Sequence, residues 1–127
     1  MFKKIDHVEI VPTDINRTIE FYVSVLGFKL KERYPVPMPP MREIAFLELG
    51  GSVIELISAE NPAAQRKQWE TGYRAIAIEV ENMAAAVDYL KGKGVPATWG
   101  PMVIGNSVRA EIQDPDGLLI ELRQWGV

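Results

Sequence analysis

A chain of 127 residues is one domain's worth, with room for a core of ordinary size. Its 47% hydrophobic and 24% charged residues fit a folded soluble protein, its net charge of −3 carries no basic stripe for nucleic acid, and no apolar run nears the ~20 residues of a membrane span. With no cysteine, disulfides and thiolate metal sites are excluded; with no secretory signal read at the N-terminus, the cytoplasm is the expected compartment, and a small molecule or a second copy of the chain the expected partner.

The first element is a strand over 5–11, where Ile5, His7, Glu9 and Val11 share one face and Asp6, Val8 and Ile10 the other. Thr13-Asp14 offers an N-cap, and Ile15, Ile19, Tyr22 and Leu26 recur at helical spacing until Gly27. Strands are expected at 28–34 and 42–49, with Gly50-Gly51 as a tight turn into a strand at 53–58. Between the second and third strands lie Pro35, Pro37, Pro39 and Pro40, which cannot donate to a ladder and predict a stiff exposed loop. Residues 59–72 are a connector in which Asn61-Pro62 opens a short helix. The order then repeats. A strand carries Ile76, Ile78 and Val80 on one face, Asn82 caps a helix with Met83, Val87 and Leu90, and Gly94 ends it. Strands near 96–99, 107–113 and 118–123 complete the unit, the last two joined by Asp114-Pro-Asp-Gly117.

The two halves are copies of one unit. His7 pairs with Ala75, Asp14 with Asn82, Ile19 with Val87 and Tyr22 with Leu90, all at an offset of 68, and Gly51-Ser-Val-Ile-Glu55-Leu pairs with Gly117-Leu-Leu-Ile-Glu121-Leu at 66. Two β-α-β-β-β modules follow, over 1–58 and 73–127 of a single domain, α+β in class. If Val8, Ile10, Ile54 and Leu56 pack on the helix, parity places His7, Glu9 and Glu55 on the free sheet face, with Ala75, Glu121 and Arg123 on the corresponding face of the second module. The second copy has lost the histidine.

Ile5-Asp-His-Val-Glu-Ile, Ile19-Glu-Phe-Tyr22 with Val25-Leu-Gly-Phe28, and Asp114-Pro-Asp-Gly-Leu-Leu-Ile-Glu-Leu122, in this order and spacing, resemble the vicinal oxygen chelate superfamily of glyoxalase I, methylmalonyl-CoA epimerase, extradiol dioxygenases and bleomycin-resistance proteins. The resemblance covers essentially the whole chain. It implies paired βαβββ modules curled into a cup around a divalent metal, with His7, Glu55 and Glu121 as ligands, Ala75 at the vacated fourth position, and a homodimer as the assembly. Two carboxylates and an imidazole suit Mn²⁺, Fe²⁺, Ni²⁺ or Zn²⁺. Glu9, on the face of His7, offers a replacement or orienting group, although an alternating strand needs polar outer residues in any case. Arg123 reads as a partner for a carboxylate and Arg74 as a surface charge. Trp99 lies in the second module's counterpart of the proline-rich loop, which in this family closes over the ligand.

The implied activity is that of a glyoxalase I-like lyase or isomerase on a substrate with vicinal oxygens, with Glu121 or Glu55 shuttling a proton. The competing reading is a cup that sequesters an antibiotic-like small molecule without chemistry, which the loss at position 75 favours and the convergence of charge disfavours. A dioxygenase needs two histidines and a carboxylate, and the chain has one histidine.

Overall fold

The alternation of the sequence resolves into two successive β-α-β-β-β units, Met1–Ala64 and Gln65–Val127, in a computed structural model that describes residues 1–63 and 69–127. The short helix expected after Asn61-Pro62 runs into 64–68, outside the described residues. Each unit holds one four-stranded mixed sheet.

In the first unit the elements are β1 (Val8–Ile10), α1 (Ile15–Glu20), β2 (Lys29–Met38), β3 (Met41–Leu49) and β4 (Ser52–Ala59), with sheet order β1-β4-β3-β2. Asp14 caps α1 as expected, its Oδ1 accepting from the amides of Asn16 at 3.0 Å and Arg17 at 3.2 Å. The last turn widens: Phe21–Val25 is π-helical, with Leu26 N donating to Phe21 O at 3.2 Å, and Phe21 and Tyr22 are both buried. Tyr22 meets Phe28 edge to face at 5.4 Å, and Ala45, Leu47, Ile54 and Leu56 are buried on β3 and β4, so the alternate residues of both strands build the core.

The proline-rich segment is not a loop. β2 runs to Met38 through Pro35 and Pro37, with its register to β3 shifting between Pro35 and Met38. The strand lies at the sheet edge, where missing N–H groups leave no central ladder broken. β1 is shorter than the predicted strand, and that difference matters at the site.

The second unit repeats the plan with β5 (Ala75–Glu79), α2 (Met83–Gly92), β6 (Trp99–Ile104), β7 (Ser107–Gln113) and β8 (Leu119–Trp125), in sheet order β5-β8-β7-β6. Asn82 Oδ1 caps α2 through Ala85 N at 2.9 Å, and Gln124 Oε1 accepts from Met83 N at 2.6 Å, tying the helix start to β8. Met83, Leu90, Ala110, Ile112, Ile120 and Leu122 form the core. Asp114 Oδ1 accepts from Asp116 N and Leu118 N, each at 2.9 Å, which fixes the expected turn.

β6 begins at Trp99, where the predicted strand over 96–99 would have ended. Its pairing with β7 shifts between Trp99 and Met102, across Gly100. At φ 72° a Cβ on Gly100 would stand 2.6 Å from the carbonyl oxygen of Arg109, so glycine is what permits the strands to approach there. No helix among the described residues is long and apolar enough to cross a membrane.

Two urea-unfolding measurements check these packing assignments. Asn82→Ala should lose about 1 kcal/mol of stability through the cap alone, whereas Ile120→Ala, which empties a fully buried site, should lose roughly 2–5 kcal/mol. Equal losses would contradict the assignment of Ile120 to the core.

Candidate functional site

The parallel pairing of β1 with β4 builds the first cluster. Val8 lies opposite Ile54, Glu9 opposite Glu55 and Ile10 opposite Leu56, and residues in register on adjacent strands point to one face. Ile54 and Leu56 are buried beneath the helix, so Glu9 and Glu55 stand together on the other side, with Phe46 of β3 beside Glu55. His7 precedes the first paired residue, and its ring swings over this face, edge-on to Phe46 at 6.1 Å.

The imidazole is held between acids. Its Nδ1 lies 2.8 Å from Asp6 Oδ2, and its Nε2 lies 3.2 Å from Glu9 Oε2 and 3.4 Å from Glu55 Oε1. Donor atoms of His7, Glu9 and Glu55 all fall within 4.8 Å of one another. Adjacent donors around an ion with ~2.0–2.2 Å bonds stand roughly 3 Å apart, so this set of one nitrogen and two oxygens fits a borderline divalent ion with open positions. Asp6 completes the arrangement: with Nδ1–H donated to Asp6, loss of the Nε2 proton that bonds Glu9 would leave the Nε2 lone pair facing Glu9 and Glu55.

Electrostatics follow from the same contacts. The hydrogen bonds to Asp6 and then Glu9 raise the His7 pKa above the ordinary 6.5, with the charge of Glu55 adding to the effect. Asp6 is lowered by its bond to His7. Burial pushes the Glu55 carboxyl up, Glu9 pushes it further, and His7 opposes both.

The structure thus brings His7 and Glu55 together as expected and adds Glu9 as an equal member. Asp6 was assigned by parity to the helix face, but the strand begins at Val8, so Asp6 is free to turn toward His7.

Glu121 belongs to the second unit and stands in register with Ala77, while Ala75 is opposite Leu119. Its partners are cations: Arg109 Nε is 2.7 Å from Oε1, and Arg123 Nη2 is 3.1 Å from Oε2. Arg109 also reaches Glu111 Oε2 at 2.5 Å, and Arg74 reaches the same oxygen at 3.2 Å. Arg123 therefore pairs as expected, while Arg74 is bound to a buried carboxylate and is not a surface charge. Trp99 lies on the edge strand β6, not in a loop, and Arg109 stands 5.4 Å from its ring centre. Sequence reasoning passed over Arg109 and Glu111. Their i, i+2 spacing within a predicted strand already put them on one face, and the repeat would have put that face beside Glu121.

A duplicated βαβββ protein with a histidine–carboxylate cluster on the open face of its first sheet is the class these features define. The chain belongs to the glyoxalase/bleomycin resistance protein/dioxygenase superfamily, whose model matches residues 4–122. It is similar to a lactoylglutathione lyase of Escherichia coli O157:H7, at 36% identity over 115 residues covering 86% of this chain and 83% of that protein. Against the mitochondrial methylmalonyl-CoA epimerase of Homo sapiens identity is 31% over 130 residues, covering 95% and 73%. A lactoylglutathione lyase of Arabidopsis thaliana matches at 35% identity over 126 residues, 94% of this chain, and the chain spans only 44% of that plant protein. The structure of a glyoxalase family protein from Enterococcus faecalis superposes with a TM-score of 0.83 at 28% identity, covering 96% of this chain and 98% of that one.

His7 is the chain's sole histidine, so its ring protons are assigned in an NMR titration without labelling. In metal-free protein the ring should titrate above 6.5, and Asp6→Asn should bring the midpoint down. Only the neutral ring ligates, so divalent uptake should be full above that raised value and decline as pH falls through it. A midpoint at or below 6.5 would remove Asp6 and Glu9 as effective partners.

Proposed function

We propose that this protein is a divalent-metal-dependent lyase or isomerase of glyoxalase I-like type, acting on a small substrate with oxygens on adjacent carbons. The observation that carries the reading is the single histidine held by Asp6 with Nε2 facing Glu9 and Glu55. The lactoylglutathione lyases and the epimerase among its relatives support the same class.

His7, Glu9 and Glu55 would hold the ion. Of Mn²⁺, Fe²⁺, Ni²⁺ and Zn²⁺, any suits the donors, and when bound it would polarise the two substrate oxygens and acidify the adjoining C–H bond. Glu55 is the residue suited to carry the proton, because its carboxylate stands at the open face among the donors that would hold the ion. It would take the proton from one carbon and return it to the substrate at the neighbouring one. Asp6 keeps the ring oriented, and Phe46 walls it on one side. Glu121 is proposed as the second unit's carboxylate, as a further ligand or proton carrier, a role in which it would exchange at least one of its arginine partners. In this reading 1–58 and 73–127 are the modules of one domain, working as a cytoplasmic homodimer.

Alanine at position 75 keeps a second reading in view, a sequestering protein that binds its ligand without turnover. Calorimetric titration of chelator-treated protein with Mn²⁺, Ni²⁺ and Zn²⁺ separates the two. His7→Ala and Glu55→Gln should weaken uptake by roughly tenfold or more, the scale of losing a ligand or its support. A similar loss in Glu121→Gln would make Glu121 a ligand, and unchanged affinity would confine the ion to the first unit. With metal added, hemithioacetals and 2-substituted acyl thioesters should exchange their acidic C–H proton with deuterated solvent. Absence of both metal uptake and exchange, with a ligand still bound, would establish sequestration.

A further inference from the structure

The hairpin joining β2 to β3 carries a pair of side chains that the histidine–carboxylate cluster does not use. Met38 and Met41 stand in register across the two strands, with Pro39-Pro40 as the turn between them. Cross-strand partners project to one side, with Cβ atoms about 4.5–5.5 Å apart. The register shifts between Pro35 and Met38 on β2, and between Met41 and Glu43 where β3 meets β4, so bulges on both strands re-aim the chain beside the pair. Each proline ring fixes its own φ, and Glu60 N donates to Pro40 O at 2.8 Å, which ties the turn to the end of β4. Met41 has only Ala59 as its neighbour on β4, and Met38 is 62% exposed, so the pair is open to solvent.

Soft donors are scarce in this chain. It has no cysteine and five methionines. Met83 is buried in the second unit's core, and Met102 lies opposite Arg109. Among the described residues, Met38 and Met41 are the one place where two methionines are partners across a ladder. A thioether sulfur is neutral and polarizable, so it holds a soft ion and leaves a hard, hydrated one in water.

We propose that the Met38–Met41 pair binds one soft monovalent cation of the Cu(I) or Ag(I) class between its two sulfurs, with solvent completing the coordination. Methionine's three rotatable side-chain bonds let both sulfurs close on one ion while the turn holds the backbone. Glu43, the next acid along β3, is held in a fork by Arg33 Nε and Nη2 at 2.9 Å each. The site is separate from the first-unit cluster in place as well as in donors. Glu55 lies opposite Phe46 and Ala59 opposite Met41, four residues further along β4, or ~13 Å at the rise of a strand.

The test is a titration of the full chain with silver nitrate in buffer free of chloride and thiols, read by NMR of the methionine ε-methyl groups, which reports each sulfur separately. The Met38 and Met41 signals should move together and saturate, while those of Met83 and Met102 stay in place. Cu(I), kept reduced under argon, should move the same two signals. Met38→Leu and Met41→Leu nearly conserve volume at a solvent-open hairpin, and each should weaken silver binding roughly tenfold or more, whereas Met102→Leu should leave it unchanged. Zn²⁺ should leave both signals unmoved, and its uptake at His7 is read on the imidazole, so the divalent site stands or falls separately. No saturation below about 1 mM silver, equal movement of all the methionine signals, an equal response to Zn²⁺, or unchanged affinity in Met38→Leu would overturn the proposal.

Discussion

The parallel pairing of the first strand of each unit with its last is the constraint on which the rest of the molecule depends. It sets residues of β1 and β5 side by side with the glutamates of β4 and β8, in the registers Glu9 to Glu55 and Ala77 to Glu121. Because the opposite faces of β4 and β8 are filled by Ile54, Leu56, Ile120 and Leu122, a slip of one residue would bury the glutamates and expose the core. Hydrophobic packing on one side therefore fixes polar geometry on the other. The site is precise because the core is.

Within that shared frame the two units have diverged by supplying or withholding a cation. In the first, β3 places Phe46 beside Glu55 and Ile44 opposite Ile57, so no cation stands at those two positions, and among the described residues Glu9 and Glu55 meet the imidazole of His7. In the second, the equivalent β7 positions hold Glu111 and Arg109, fixed by their pairing with Glu121 and Arg123. The guanidinium of Arg109 stands between the two acids. One unit gathers acid around an imidazole; the other sets its acids against guanidiniums carried in the chain. Even the repeat-equivalent positions ahead of the two strands follow this division, since Asp6 turns in to bond His7 and Arg74, 68 positions on, turns in to pair with Glu111.

Much of this was legible in the sequence, for local reasons. Caps at Asp14 and Asn82, the Asp114 turn and the two-residue periodicity depend on neighbours a few positions away, and they predicted both β-α-β-β-β units and the face shared by His7, Glu9 and Glu55. What escaped depends on where strands begin and how they pair. Parity carried past the end of the pairing put Asp6 on the helix face, and Arg74 read as a surface charge, because pairing starts only at Val8 and Ala75. Prolines in β2 looked like a loop since nothing local reveals that the strand lies at an edge. The Arg109–Glu121 pair joins neighbouring strands, and it emerges only once the register of β7 on β8 is known.

The missing histidine at position 75 is accordingly the smaller of two departures in the second unit. An imidazole there would restore a donor atom, but Glu121 would still be ion-paired to Arg109 and Arg123, and a metal ion arriving among those guanidiniums would meet like charge. Arg109, standing where the first unit has Ile44, is what separates the two chemistries. Loss of a histidine removes one donor atom. A cation fixed in the chain takes up the carboxylate itself, and it does so on the same backbone without moving a strand.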